Sequence, residues 1–348
     1  MIIRIFLYLC SWMKQAYQLI GISSVQHFLV DGLCMCCAFL LAELYGNSFG
    51  SYGDKVSMGA VLIYNVLAFM SQPLTGILAD RMVHRHWLLL SSSLLLTLAV
   101  ACASLLSMLV RDEVVGMDDV IVEWLLIVVA VLLGVGNSLF HVWGGKQTVV
   151  KAGNDMRALG VFVSTGALGL AVGLVFLSWS LLYVLLMAIV LLAVVYVRLD
   201  DGTSIGFSDV KALSDWFTPV RIWTLVVALM LFVGYRAFAG EVFSHGIAKT
   251  HETILVIAAV AMLGKMAGGW IARWLGILKS LMVILAGVAL CFLFWREYDV
   301  VLLPGIFLMN CTMPITLYLA NVLLSGCEGL AFGLLAAALL PGYLLAVL

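Results

Sequence analysis

Eleven apolar stretches follow one another along this chain, and each is about as long as a membrane is thick. A bilayer-spanning helix needs about 20 predominantly apolar residues. The stretches cover roughly residues 22–44, 57–79, 87–110, 120–143, 159–177, 180–197, 219–240, 253–272, 278–295, 300–321 and 330–348. Because 64% of the residues are hydrophobic and only 11% are charged, little polar sequence remains for a soluble domain. The pattern predicts an all-α polytopic membrane protein, embedded in a lipid bilayer and without a nucleic-acid partner.

Lysine and arginine are distributed unevenly between the two sides of the predicted helices. Twelve of the 18 lie on the side that carries the connection after the second stretch. Because basic residues accumulate in cytosolic loops, we expect this side and the N-terminus to face the cytosol of a bacterial cell, with the protein in the inner membrane. The twelve are Arg4, Lys14, Arg81, Arg85, Lys146, Lys151, Arg157, Arg198, Lys211, Arg221, Arg273 and Lys279.

Polar connections divide the chain into four predicted parts. Residues 1–21 contain an apolar patch too short to span, and we interpret them as an interfacial segment. Residues 22–198 hold six predicted spans, and residues 219–348 hold five. Between them lies the longest polar connection, a predicted cytosolic linker over 199–218.

A charged motif follows the second predicted span. It reads Gly76-Ile-Leu-Ala-Asp80-Arg81, with Arg85 a few residues later. The motif resembles the G-x-L-A-D-R-x-G-R-R/K loop of major facilitator superfamily transporters, although Val83 replaces the usual glycine and His84 a basic residue. This resemblance implies a monomeric transporter with two pseudo-symmetric helical halves and alternating access. That fold normally has twelve helices, so the twelfth is expected to be missing here.

The same resemblance implies residues of a cytosolic gate. In the superfamily, the matching aspartate and its basic neighbours lock this gate through contacts with the opposite half. A related pattern, Gly269-Trp-Ile-Ala-Arg273, follows the eighth predicted span, as expected for a transporter built from related halves. The predicted gate residues are Gly76, Asp80, Arg81, Arg85, Gly269 and Arg273.

His27 and Asp31 occupy one face of the first predicted span. Their spacing of four brings both side chains together on a helix. An ionisable residue inside the membrane costs about 2.5–3.5 kcal/mol on insertion scales, and is a candidate for function. Desolvation would favour the protonated form of Asp31, which suits a proton-coupling site. A structural hydrogen bond or ion pair between helices is the alternative.

Asn137 and His141 share a face of the fourth predicted span. The surrounding Gly134-x-Gly136-Asn137-x-x-Phe140-His141 sequence resembles the fosmidomycin-resistance branch of the superfamily, with Val142 in place of a frequent proline. This resemblance implies that His141 takes part in proton coupling, contacts substrate or gates the cytosolic side, and that Asn137 contacts substrate. An ordinary interhelical histidine is the alternative. The glycine-rich stretch Gly166–Gly173 predicts close helix packing, and drug/proton antiporters carry a related motif there.

Two basic residues lie inside later predicted spans. Arg236 belongs to the seventh and Lys265 to the eighth. A buried arginine binds carboxylates or phosphates through two hydrogen bonds and keeps its charge. Both residues are therefore predicted to bind an anionic or zwitterionic substrate, whereas a structural ion pair of Arg236 with Asp31 or Glu43 is the competing interpretation.

These patterns together predict proton-coupled export of a small amphiphilic or anionic compound. The proton gradient would supply the energy, because the chain has no G-x-x-x-x-G-K-[ST] nucleotide-binding loop. Eight cysteines without zinc or disulfide spacing predict no metal site, and no cofactor is expected. Proton-coupled or facilitated uptake of an organic anion is the main alternative. A membrane enzyme using His27 and Asp31, or a membrane protein that transports nothing, is a more distant one.

Overall fold

The structure is a computed structural model that describes residues 2–82, 86–111, 120–202 and 218–347. Arg85 and most of the predicted linker lie outside these ranges. Within them the chain is helical and contains no strand. The α-helices are α1 (Ile2–Asn65), α2 (Gln72–Arg81), α3 (Trp87–Arg111), α4 (Val120–Ala152), α5 (Met156–Val175), α6 (Trp179–Leu199), α7 (Pro219–His245), α8 (His251–Leu275), α9 (Ile277–Phe294), α10 (Leu302–Leu323), α11 (Glu328–Ala337) and α12 (Leu339–Val347).

In the described part of the chain, eleven helical segments are long and apolar enough to span a membrane. Helix α1 bends at Gly50, whose φ of 55° is a conformation that glycine adopts at little cost. The bend separates the first span, Gln15–Ser51, from the second, Gly53–Arg81. The second span continues through a π-helical turn into α2, and α11 with α12 forms the last span. The predicted all-α polytopic fold is confirmed.

The helices bury two apolar cores. The larger core lies mainly among α1–α6, and the second lies among α7–α10. We call α1–α6 the first group of helices and α7–α12 the second group. Glycines let helices of the two groups approach closely. A β-carbon added to Gly76 of α2 would lie 2.4 Å from the carbonyl oxygen of Gly329 in α11. One added to Gly269 of α8 would lie 2.3 Å from the carbonyl oxygen of Met156 in α5. Only a residue without a side chain allows these two crossings.

Helix α5 packs directly on α1 through glycines of the stretch 166–173. A β-carbon at Gly169 would lie 2.2 Å from the carbonyl oxygen of Phe28, and one at Gly173 would lie 2.2 Å from that of Gly32. The backbones therefore touch over about one turn. This contact fixes where the polar face of α1, with His27 and Asp31, meets α5.

A buried ion pair ties α4 to the end of α6. Lys151 Nζ lies 2.6 Å from Asp200 Oδ1, and these residues are only 2% and 7% exposed. Removing one partner of a buried pair leaves an uncompensated charge, which costs about 3–5 kcal/mol. We expect Lys151→Met to lower the unfolding temperature of the purified protein in a thermal scan, whereas Lys279→Met at an exposed position should leave it unchanged.

The double variant Lys151→Met/Asp200→Leu provides the control for charge. It should recover part of the loss, because replacing both partners by apolar residues is often close to neutral. Unchanged thermal stability in Lys151→Met would show that this pair does not hold α4 and α6 together.

Candidate functional site

A polar cluster lies inside the first group of helices, where α1 meets α4. His27 and Asp31 come from α1, and Asn137 and His141 come from α4. The two Nε2 atoms of the histidines are 2.9 Å apart. Each Nε2 also lies 3.3 Å from a different carboxylate oxygen of Asp31. Asn137 Nδ2 donates to Asp31 Oδ1 at 3.2 Å. We call His27, Asp31 and His141 the central triad.

The second nitrogen of each histidine fixes the position of its hydrogen. His27 Nδ1 lies 2.7 Å from the carbonyl oxygen of Phe162, and His141 Nδ1 lies 2.9 Å from that of Asn137. A carbonyl oxygen can only accept a hydrogen bond, so each Nδ1 must carry the hydrogen. In a neutral ring, Nε2 then has only a lone pair to offer.

The central triad consequently lacks a donor at its centre. With both rings neutral, two nitrogen lone pairs and a carboxylate face one another at 2.9–3.3 Å. His27 and Asp31 are only 5% and 6% exposed, so water does not surround these groups. Buried acceptors without a donor cost free energy, and an uncompensated buried charge costs more. The arrangement therefore favours a cation bound between the three side chains.

Helix α5 closes the remaining side of the central triad. The ring of Phe162 stacks on His27 with centroids 4.8 Å apart and an interplanar angle of 26°. Gly166 lies one turn further along. A β-carbon there would be 2.3 Å from Asp31 Oδ2 and 2.5 Å from His27 Nε2. Gly166 thus provides the space in which the triad assembles.

Arg236 and Lys265 lie in the second group of helices without a carboxylate partner among the described residues. Arg236 is only 6% exposed, and its Nη1 donates to Thr316 Oγ1 at 3.3 Å. Lys265 is half-buried and lies within electrostatic range of both Arg236 and Asp31. The competing ion pair of Arg236 with Asp31 or Glu43 is not formed in this structure: Asp31 contacts the histidines, and Glu43 is exposed.

Asp80 lies at the crossing of α2 and α11. Its two carboxylate oxygens accept hydrogen bonds from the backbone N–H groups of Gly329 and Leu330, each at 2.9 Å. These groups begin α11, where the helix dipole favours negative charge. Lys146 of α4 adds a salt bridge of 3.0 Å to Asp80 and donates to the carbonyl oxygen of Ala79 at 2.8 Å. Asp80 therefore joins α2, α4 and α11 at one end of the molecule, which we call the Asp80 end.

The crossing of α8 and α5 resembles the crossing of α2 and α11, but different charged residues surround it. Gly269 packs on the first turn of α5 as Gly76 packs on α11. Asp155 caps α5 by accepting from the backbone N–H of Arg157 at 2.9 Å. Burial alone would raise the pKa of Asp155, but hydrogen bonds from Arg157 and the nearby charge of Arg273 lower it. The Arg157 guanidinium also lies 5.3 Å from the ring centroid of Trp270 in α8.

Comparisons with known proteins identify the family. The sequence pattern of the Major Facilitator Superfamily matches residues 24–346. This chain belongs to the major facilitator superfamily. No curated protein matches it in sequence. Membership in the superfamily points to a transporter of small molecules, not to an enzyme.

Solved structures of the superfamily share the fold at low identity. The transporter FucP in its outward conformation is 12% identical, with a TM-score of 0.67 over 94% of this chain and 89% of that chain. A bacterial homologue of the iron transporter ferroportin, in an outward-facing state, is 14% identical, with a TM-score of 0.60 over 94% of this chain and 90% of that chain. Such similarity establishes the major facilitator fold and no finer assignment.

The structure brings some predicted residues of this superfamily member together and separates others. His27, Asp31, Asn137 and His141 form one cluster, in which Asn137 donates to Asp31, whereas Arg236 donates to Thr316. Gly76 and Asp80 meet α11. Among the other predicted gate residues, Arg81 and Arg273 are exposed at the ends of α2 and α8, and Arg85 is outside the described residues.

Sequence reasoning missed two contributors to these sites. The sequence marks Lys146 only as a basic residue on the predicted cytosolic side. Nothing beyond its position five residues after His141 signals its contact with Asp80. The carbonyl oxygen of Phe162 orients His27, but backbone groups carry no residue-specific signal at all.

Proposed function

We propose that this superfamily member is a proton-coupled secondary transporter of a small anionic compound, working by alternating access. The observation that carries this proposal is the central triad. Two histidine nitrogens and the Asp31 carboxylate converge on one point, and the Nδ1 hydrogens of both histidines are already committed to backbone carbonyls. A proton on either Nε2 supplies the missing donor and neutralises the charge of Asp31. The triad, not Asp31 alone, is then the coupling site.

The basic residues of the second group of helices support an anionic substrate. Arg236 retains its charge in a buried position and has one neutral partner, Thr316, so its remaining donors can bind a carboxylate or phosphonate. Lys265 lies in the field of both Asp31 and Arg236. When a proton neutralises the triad, the attraction between Asp31 and Lys265 weakens. The positive charge of Lys265 is then less compensated, so the state of the triad affects anion binding.

The direction of transport has two candidates. The resemblance of Gly134–His141 to the fosmidomycin-resistance branch favours export of the compound in exchange for protons. The electrostatic influence of Asp31 on Lys265 favours the second candidate, uptake of an organic anion together with a proton, because protonation of the triad makes the surroundings of Lys265 more positive. Both candidates use the same residues.

Proton movement in liposomes tests this function. Purified protein is reconstituted with a trapped pH dye, and phosphonates, other organic anions and lipophilic drugs are added outside. We expect one class to drive a pH change, and Asp31→Asn to reduce its initial rate at least about tenfold, the scale of losing a proton-transfer group. Exchange raises the internal pH because protons leave as the compound enters, whereas cotransport lowers it.

Matched variants separate coupling from folding. Asp299→Asn, which changes an exposed aspartate outside both sites, should retain the full rate. Arg236→Gln should raise the concentration of anion required, with little effect on uncharged compounds. Substrate-driven proton flux that persists in folded Asp31→Asn, His27→Gln and His141→Gln would exclude the triad as the coupling site.

A further inference from the structure

We propose that the central triad also binds a divalent transition-metal ion, such as Zn²⁺, Fe²⁺ or Co²⁺. His27, Asp31 and His141 each present one ligand atom, and these atoms lie within 4.8 Å of one another. Among the described residues, this is the group of histidine, cysteine and acidic side chains whose geometry could hold a metal. The inference rests on the same cation site as the proposed function.

The spacing of the ligand atoms fits a metal ion at their centre. The nitrogens are 2.9 Å apart, and each is 3.3 Å from a carboxylate oxygen. Nitrogen and oxygen ligands bind Zn²⁺ at about 2.0–2.2 Å. Two ligands at that distance and near a right angle are roughly 3 Å apart, and a wider tetrahedral angle separates them slightly more. Small adjustments of the side chains therefore suffice to bind a metal.

The hydrogen-bond partners of the ligand side chains are those that metal sites in proteins usually have. A histidine that binds metal through one nitrogen usually donates its other N–H to a carbonyl or carboxylate, which fixes the tautomer and the ring orientation. Both histidines do this, through Phe162 and Asn137. The Asn137 side chain also holds Asp31 in place at 3.2 Å. The lone pairs of both Nε2 atoms consequently point toward the carboxylate before any metal arrives.

The chemistry of the ligands selects the class of metal. Two imidazoles and one carboxylate suit Fe²⁺, Co²⁺ and Zn²⁺, whereas Ca²⁺ and Mg²⁺ prefer oxygen ligands only. The nearby Cys34 thiol contacts Asn137 Nδ2 at 3.7 Å and is not one of the three ligands. A metal ion needs the nitrogen lone pairs, and both Nε2 atoms offer theirs because each Nδ1 already donates to a backbone carbonyl.

Cobalt titration of the full-length protein tests the site. Protein stripped of metal by a chelator is titrated with Co²⁺, whose visible d–d absorption reports binding, and Zn²⁺ is then added as competitor. We expect one Co²⁺ per chain, displacement by Zn²⁺, and weaker binding as the pH is lowered. His27→Gln, Asp31→Asn and His141→Gln should each reduce the affinity at least a hundredfold. His245→Gln, at an exposed histidine, should not change it.

X-ray absorption of the cobalt-bound wild-type protein needs no variant and shows the ligands directly. Two imidazoles without sulfur are expected, and a cysteine ligand would overturn the assignment. Absence of saturable Co²⁺ binding, or binding that persists in all three triad variants, would also overturn it. The two proposals fail separately: proton flux without metal binding removes only the metal site, and metal binding without substrate-driven proton flux removes only the proposed transport function.

Discussion

Replacing Gly166 by alanine is expected to reduce substrate-driven proton flux by roughly a hundredfold while leaving the protein folded. The added β-carbon would lie 2.3 Å from Asp31 Oδ2 and 2.5 Å from His27 Nε2. His27 cannot retreat easily, because it stacks on Phe162 and donates to the carbonyl oxygen of that residue. One of the two side chains must therefore leave the triad. A misplacement of about 1 Å at a reacting site can cost this much rate.

The expected loss of stability from this substitution is much smaller. Overpacking a well-packed interior typically costs about 1–3 kcal/mol, which a folded helical protein tolerates. Gly240→Ala is the matched control, because a β-carbon at that helical glycine meets no atom within 4 Å. Flux is measured in the pH-dye liposomes, and folding is measured by thermal unfolding. Wild-type flux in Gly166→Ala would mean that the compact triad is not needed for coupling.

The fold could be predicted from sequence because hydropathy is a local property. Each of the eleven spans can be recognised from its own apolar residues, because its mean hydropathy is 1.5–2.8. The ends of spans were less accurate. The first was predicted over 22–44, but it extends over Gln15–Ser51, since helices continue beyond the hydrocarbon core until a residue such as Gly50 bends the chain.

The sequence predicts which residues of the candidate site share a helix face, but not which helices meet. The spacing of four within α1 and within α4 shows that His27 faces the same way as Asp31, and Asn137 the same way as His141. That the two pairs meet depends on how α1 packs against α4, over more than a hundred residues of separation. The role of Gly166 is equally hard to predict from sequence. The glycine-rich stretch around it predicts close helix packing, but the sequence does not show which atoms of α1 lie opposite Gly166.

Helix α4 connects the central triad to the Asp80 end, and helix α5 connects it to the crossing with α8. Helix α4 carries His141 in the triad and Lys146 on Asp80, only five residues apart. Helix α5 carries Gly166 beside the triad, and Asp155 caps its first turn near α8. A shift of either helix when the triad gains or loses its cation would therefore act on a crossing between the two groups of helices. This arrangement provides a physical route for coupling cation binding to alternating access.

Asp80→Asn is expected to open the Asp80 end. Asparagine keeps one acceptor oxygen but loses the charge, the second hydrogen bond to the start of α11, and the attraction to Lys146. A hydrogen bond to a charged group contributes about 1.5–3 kcal/mol, so the open state should gain roughly tenfold to a hundredfold in population. Hydrogen–deuterium exchange measured by mass spectrometry, on peptides covering 326–334, should accelerate by that factor because one of the amides of Gly329 and Leu330 loses its acceptor and the other keeps only a neutral one.

The control for this variant lies at the opposite end of the same span. Asp54 is exposed, and Asp54→Asn should leave exchange in 326–334 unchanged. A local effect of Asp80→Asn on the first turn of α11 would accelerate only that peptide. Opening of the whole crossing should also accelerate exchange around Gly76, since its backbone packs on Gly329. Because Lys146 binds Asp80, Lys146→Met should produce the same pattern more weakly. Unchanged exchange in both segments of Asp80→Asn would exclude Asp80 as the residue that holds this end closed.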